Sequence, residues 1–194
     1  MKNLAVLFII VAICTSCYED HSDLIPGQDF IPEEILEEIK ANGQPIFEGL
    51  NPPDISGRYQ VSPQILVSSN FEDPLDPGFV FANKFIEFRN LDRSTLKLEV
   101  DIEEADNEGT GFGSFISGEG NNFTVFVRID RTDSDDHTLL SAEVISGTLT
   151  ENGIVNLHNS LFMIEDNGDP NNRYIENGHG RLLRDQDGFS EKIR

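Results

Sequence analysis

From Gly57 onward the apolar residues recur with a period of two, and no stretch of helical period interrupts them. Leu96, Leu98, Val100 and Ile102 alternate with Lys97, Glu99 and Asp101, the pattern of a half-exposed strand. Arg58 to Ser62 and Gln64 to Ser69 flank Pro63, which predicts an edge, a bend or a bulge there. Gly78 to Asn90 is a further strand rich in Phe. Gly111 to Gly118 and Phe123 to Asp130 read as a hairpin across Gly120-Asn121. Thr138 to Thr150 and Ile154 to Glu165 read as a second across Asn152-Gly153, a dipeptide suited to a tight hairpin turn. Asp166 to Asn172 is a polar loop before a last strand, Arg173 to Arg184, and Asp187-Gly188 leads into a short tail.

About eight or nine consecutive strands with no helix between them predict a mainly β chain built as an antiparallel meander. Closing such a meander removes its exposed edges, so an up-and-down β-barrel is the expected fold, with a β-sandwich as the alternative. Residues 55–190 form this domain. Before it, Ile31-Pro32-Glu33-Glu34 opens a short helix with proline in the first turn and acids at the positive end of the dipole. Ile35, Leu36 and Ile39 share a face and Gly43 is the stop, so residues 31–54 are helix and linker.

The hairpin turns set the expected faces. With Gly120-Asn121 as the loop, Ile116 opposes Val125 on the inside, and Phe115 opposes Phe126 on the outside, where the helix can cover them. With Asn152-Gly153 as the loop, Val144 opposes Leu161, Ala142 opposes Met163, and Ser146 opposes Asn159, all inward. Ser146 and Asn159 would be either a hydrogen-bonding point for a ligand or a satisfied polar pair.

Met1 to Cys17 has the form of an address. Lys2 precedes an uncharged apolar run, Leu4 to Cys14, too short to span a bilayer as a helix. Cys14-Thr15-Ser16-Cys17 resembles the lipobox of bacterial lipoproteins, although Cys14 stands where leucine is commoner. That resemblance implies a signal peptide over 1–16, lipidation of Cys17, and an acidic tether over 17–30. It also leaves the mature chain without a free thiol or a disulfide. Tyr18, rather than Asp, follows Cys17, which by the same resemblance points to the outer membrane. Glu19, Asp20 and Asp23 resemble the surface-export tag of some lipoproteins.

Ile55-Ser56-Gly57-Arg58-Tyr59 at the head of the meander resembles the Gly-x-Trp opening of the lipocalin-like (calycin) barrels, with Tyr59 in the place of Trp in a chain that has no Trp. The resemblance spans roughly residues 55–184 and implies that Arg181 or Arg184 packs over that aromatic. The segment Ile31 to Pro53 is similar to the N-terminal part of secreted bacterial lipoproteins of no assigned activity.

Fourteen basic against 35 acidic residues give a net charge of −21, which excludes unaided binding of nucleic acid or anionic lipid. His137, His158 and His179 form no zinc motif; His158 and His179 sit on neighbouring predicted strands and could meet. No Gly-x-Ser-x-Gly elbow and no phosphate-cradling loop before a helix is present. Asp166, Asp169 and Asn171 in one loop, and Asp133, Asp135 and Asp136 in another, are the candidate calcium ligands, neither set matching an EF-hand. Asx-rich turns also form for backbone reasons alone. Asn122-Phe123-Thr124 matches a glycosylation sequon.

These features predict a lipid-anchored, non-catalytic envelope protein that needs no cofactor and holds a small apolar or amphipathic ligand in its barrel. Its expected lining is Phe81, Phe85, Ile116, Val125, Val144, Ser146, Asn159, Leu161 and Met163. The alternatives are a solid-cored structural or interaction lipoprotein, a carbohydrate-binding accessory protein, and a hydrolase.

Overall fold

A computed structural model describes residues 31–105 and 107–193, with backbone alone at 112 and 113. The predicted signal peptide, Cys17 and the predicted tether lie outside the described residues.

The helix, α1 (Glu33–Ala41), forms as the local pattern requires. Pro32 caps it, its carbonyl accepting the N–H groups of Ile35 and Leu36 at 3.0 Å each. The chain leaves through Gly43 at φ 101°. Buried Leu36 and Ile39 pack with Phe115, Phe126, Ala142, Val144 and Phe162. The helix therefore covers the aromatic pair that the hairpin register places on the outer face.

Eleven strands follow: β1 (Leu50–Asn51), β2 (Gly57–Val61), β3 (Gln64–Ser69), β4 (Lys84–Asp92), β5 (Lys97–Glu104) and β6 (Asn107–Glu119), then β7 (Asn122–Asp133), β8 (Thr138–Leu149), β9 (Gly153–Glu165), β10 (Gly180–Asp185) and β11 (Phe189–Ile193). All belong to one sheet, antiparallel except where the short β1 pairs with β6. Eight of them close a ring in the order β11-β2-β4-β5-β6-β7-β8-β9, with β9 returning to β11. Of the other three, β10 and β3 extend from β9 as a flap, and β1 pairs with β6.

Two breaks make this possible. Strands β2 and β3 are one run broken at a cis Ser62-Pro63 bond, and β10 and β11 are one run broken at residues 186–188. The breaks lie against each other: Gln186 N donates to Pro63 O at 3.0 Å, and Ser62 N donates to Asp185 Oδ2 at 3.3 Å. Ser190 Oγ donates to the same oxygen at 2.9 Å. The long β9 thus pairs along one edge with β11 at its start and β10 further on.

Three expectations are corrected here. The tail after Gly188 is a strand, β11, and it closes the ring. The last predicted strand begins only at Gly180, because residues 173–179 belong to a loop that lies over one mouth of the ring. Neither Arg181 nor Arg184 packs over Tyr59. Lys192 of β11 does so, with Nζ 5.6 Å from the ring centre, while the buried tyrosine donates its hydroxyl to Ile55 O at 3.0 Å.

The β6–β7 register agrees with the hairpin reading, pairing Phe115 with Phe126 and Ile116 with Val125. The β8–β9 register does not. The turn sits one residue earlier than Asn152-Gly153, since Leu149 pairs with Ile154 and Thr150 N and Oγ1 both donate to Gly153 O at 2.8 Å, leaving Glu151 and Asn152 between the bonded residues. That displacement shifts the pairing by an even step and keeps the faces. A bulge then sets Asn156 and Leu157 against Gly147, with Asn156 at φ 53°. One extra residue exchanges the two faces of a strand relative to its partner. Val144 therefore opposes Ser160 and Ala142 opposes Phe162, both outward under the helix, whereas Asn159, Leu161 and Met163 stay inward.

Candidate functional site

The inside of the ring is layered along its axis. One end is an apolar core of Tyr59, Phe88, Phe123, Ile145, Ile154 and Leu157, all at most 1% exposed. Ile116 and Val125 belong to this layer, so they are core and not ligand lining. Phe88 and Phe123 meet edge to face at 6.3 Å, a favoured geometry for aromatic pairs.

A layer of buried ions lies toward the other end. Lys84 and Glu143 are both fully buried, and Arg131 is 5% exposed. Lys84 Nζ donates to Glu143 Oε2 at 3.0 Å and to Asn159 Oδ1. Arg131 Nη2 donates to Glu143 Oε1, and Asn159 Nδ2 donates to Glu143 Oε2 at 3.0 Å. Burial alone would raise the Glu143 carboxyl, but the adjacent Arg131 and Lys84 charges prevail and hold it down at about 2. Burial also opposes the charge on Arg131, yet Glu143 and Glu104 together hold its pKa above the ordinary value.

The strand period explains how three charges reach the inside. Lys84 is in phase with Ile86 and Phe88, Arg131 with Val127 and Ile129, and Glu143 with Ile145. Gly109 sits opposite Arg131 across the β6–β7 pair. A Cβ there would come within 2.5 Å of Ile129 Cγ2 and 3.0 Å of Arg131 Cγ, so glycine is what lets the arginine stem lie over β6.

Above the ions the ring opens into a cleft of about 520 Å³, within the size range of small-molecule sites. Arg131, Leu139, Leu161, Met163 and Leu183 come from the strands, and Phe71, Phe81 and Tyr174 from the loops around the mouth. The loops are braced. Arg181 clamps Asp73 with Nε to Oδ2 at 2.7 Å and Nη2 to Oδ1 at 2.9 Å. Burial works against the Asp73 charge, but bonds from Arg181 and Ser69 bring its carboxyl down to about 2. His179 stacks on Phe71 with centroids 4.4 Å apart, and Arg181 lies over both Phe71 and Phe81. Tyr174 donates its hydroxyl to Asp133 Oδ2 at 2.6 Å.

Of the expected lining, Phe81, Leu161 and Met163 border this cleft. Asn159 lies in the ion layer beneath it. Phe85 is instead on the outer face, with the Arg58 guanidinium 4.9 Å over its ring, because β4 alternates from inward Lys84. Val144 packs under the helix. Ser146 also faces outward, where Gln44 Nε2 donates to its Oγ at 2.6 Å and Ser160 Oγ donates to Gln44 Oε1 at 2.9 Å. Ser146 and Asn159 therefore do not pair; the serine pins the linker after the helix.

The loops named as calcium candidates are organised by their own backbone. Asp133 Oδ1 accepts the N–H groups of Asp135 and His137 at 2.9 and 3.0 Å. Asp166 Oδ1 accepts Gly168 N at 2.9 Å and Asp169 Oδ2 accepts Tyr174 N at 2.7 Å, while Asn171 is exposed. Among the described residues, no group of three or more His, Cys, Asp or Glu converges in a way that could hold a metal ion. His158 pairs at the level of Arg184 and His179 lies beyond Gly180, so the two histidines do not meet.

Sequence reasoning missed Lys84, Arg131 and Glu143. Their signal was a charge in phase with the apolar face, which alternation scored by hydrophobicity treats as noise. Comparison of the chain with family models, curated proteins and solved structures returns no significant match.

Proposed function

We propose that this chain is a lipid-anchored, non-catalytic protein of the bacterial outer membrane whose ring of strands is a lipocalin-like barrel that binds a small amphipathic ligand. The observation that supports the reading is the cleft: about 520 Å³, walled by Phe71, Phe81, Leu139, Leu161, Met163 and Leu183. Apolar walls around a few fixed polar groups are the usual composition of a small-molecule site. The anchor reading rests on the Lys2 to Cys17 segment and places lipidation on Cys17. Two acyl signals or more hold a protein on a membrane far more firmly than one chain does.

The test is mass spectrometry under denaturing conditions on an organic extract of the protein purified from its native host. The reading expects a lipid-like molecule in stoichiometric amount. An empty extract, with no thermal shift against fatty acids, bile acids and haem, would overturn it. A second reading, a solid-cored protein acting through its surface, draws support from the packed half of the ring and from the exposed apolar residues Leu50, Phe79 and Val80. That reading expects the empty extract.

A further inference from the structure

The ion layer brings an amine, a carboxamide and a carboxylate together out of water. Lys84 and Glu143 are fully buried and Asn159 is 1% exposed. Lys84 Nζ donates to Asn159 Oδ1 at 2.5 Å, and the carboxamide carbon, Cγ, is one bond beyond that oxygen. A small shift of the flexible lysine stem carries the nitrogen from the oxygen to the carbon. Asn159 cannot turn away, because its Nδ2 donates to Glu143 Oε2 at 3.0 Å and to Ser160 O at 3.1 Å. The same Glu143 Oε2 accepts Lys84 Nζ at 3.0 Å. One carboxylate oxygen thus touches both the entering and the leaving nitrogen, the position of a group that passes a proton from one to the other.

The charge of the layer points the same way. Two buried cations, Lys84 and Arg131, share one buried acid, Glu143. An excess charge away from water is costly. If Lys84 gave up its charge, a matched Arg131–Glu143 pair would remain.

We infer that Lys84 and Asn159 join in an intramolecular isopeptide bond, with Glu143 as the catalytic proton carrier. Glu143 takes a proton from the Lys84 ammonium, and the freed electron pair of Nζ forms a bond to Asn159 Cγ. Glu143 gives that proton to Nδ2 and takes a second from Nζ as the Cγ–Nδ2 bond breaks. Ammonia leaves and carries the second proton off as ammonium. An ammonium and a carboxamide become a secondary amide and free ammonium, with no oxidant or reductant. Part of the field that holds the Glu143 carboxyl down comes from Lys84, so it relaxes as the proton moves. Fixed neighbours react as though at very high concentration, about 10⁵ M or more in well-oriented cases.

Lys84 lies on β4, between β2 and β5, and Asn159 on β9, between β8 and β10. The bond therefore crosses the inside of the ring and closes a long loop of chain, the kind of link that restricts the unfolded state most. It would form whether or not the cleft above holds a fatty acid such as dodecanoate.

The test is a tryptic peptide map of the purified full chain by mass spectrometry under denaturing conditions. Trypsin cannot cut after an acylated Lys84. The inference expects one branched peptide joining residues 59–89 to residues 132–173, at the sum of their masses less one ammonia. Fragmentation should place the link at Lys84 and Asn159. Linear peptides 59–84 and 132–173 alone, or a link from Lys84 to another residue, would overturn it. The variant Glu143→Gln keeps the shape but cannot carry the proton, and is expected to yield mainly the linear peptides. A branched peptide formed in full by that variant would overturn the role of Glu143. Should the variant fail to fold, the map of the unaltered chain decides on its own.

Discussion

The two ends of the ring are built from the same strands and the same period of two, yet they solve opposite problems. At the closed end, inward side chains from β2, β4, β5, β7, β8 and β9 fill the space with aromatic and branched residues. At the open end, the same strands contribute Lys84, Arg131, Glu143 and Asn159, and the space above them stays open. Filling an interior with apolar groups stabilises a fold at no polar cost. Buried ion pairs often contribute less than a hydrophobic replacement of similar volume. Three charges are buried inside this end, and the cleft opens beside them.

This contrast can be broken from either side. The largest effect is expected at Glu143, whose loss leaves two buried cations without their acid. Glu143→Ala should cost about 3–5 kcal/mol in urea unfolding and should abolish ligand binding as well. Phe123→Ala at the closed end should cost about 3–5 kcal/mol through the cavity it leaves, yet leave affinity for dodecanoate unchanged. A matched loss of affinity in both variants would erase the distinction between the ends.

Acid sharpens the comparison. The folded chain holds the Glu143 carboxyl at about 2, against 4.5 for the free group. Its contribution to stability is thus complete above about pH 4.5 and is lost as the pH falls toward about 2. Asp73 is lowered in the same way, by its clamp from Arg181. Acid titration followed by urea unfolding should show a decline across that window that is shallower in Glu143→Gln. The smallest effect is expected at the rim. Phe81 is half-exposed, so Phe81→Ala should cost about 1 kcal/mol or less in stability while weakening dodecanoate binding measurably.

Much of the fold was legible because alternation and turn residues act locally. The β6–β7 register followed from Gly120-Asn121, and with it the outward-facing Phe115–Phe126 pair and the need for the helix that covers it. What was not legible depends on single residues acting at a distance. The bulge at Asn156 exchanged the faces of β8 and moved Val144 and Ser146 outside. Strand β11 looks like a polar tail because Glu191 and Lys192 interrupt its pattern, and only its pairing with β2 and β9 makes it a strand. The site was partly visible through Phe81, Leu161 and Met163. Its charged floor was not, because three residues 12 to 59 positions apart become one cluster only when the ring closes.

The central claim is that ligand enters the open end and leaves the closed end untouched. Nitrogen–proton NMR of the labelled protein, titrated with dodecanoate, tests it most directly. The account predicts shifts at Leu139, Leu161, Met163 and residues 173–179, with Phe123, Val125 and Ile154 unmoved. Shifts centred on Phe123 and Ile154, or none anywhere, would contradict it.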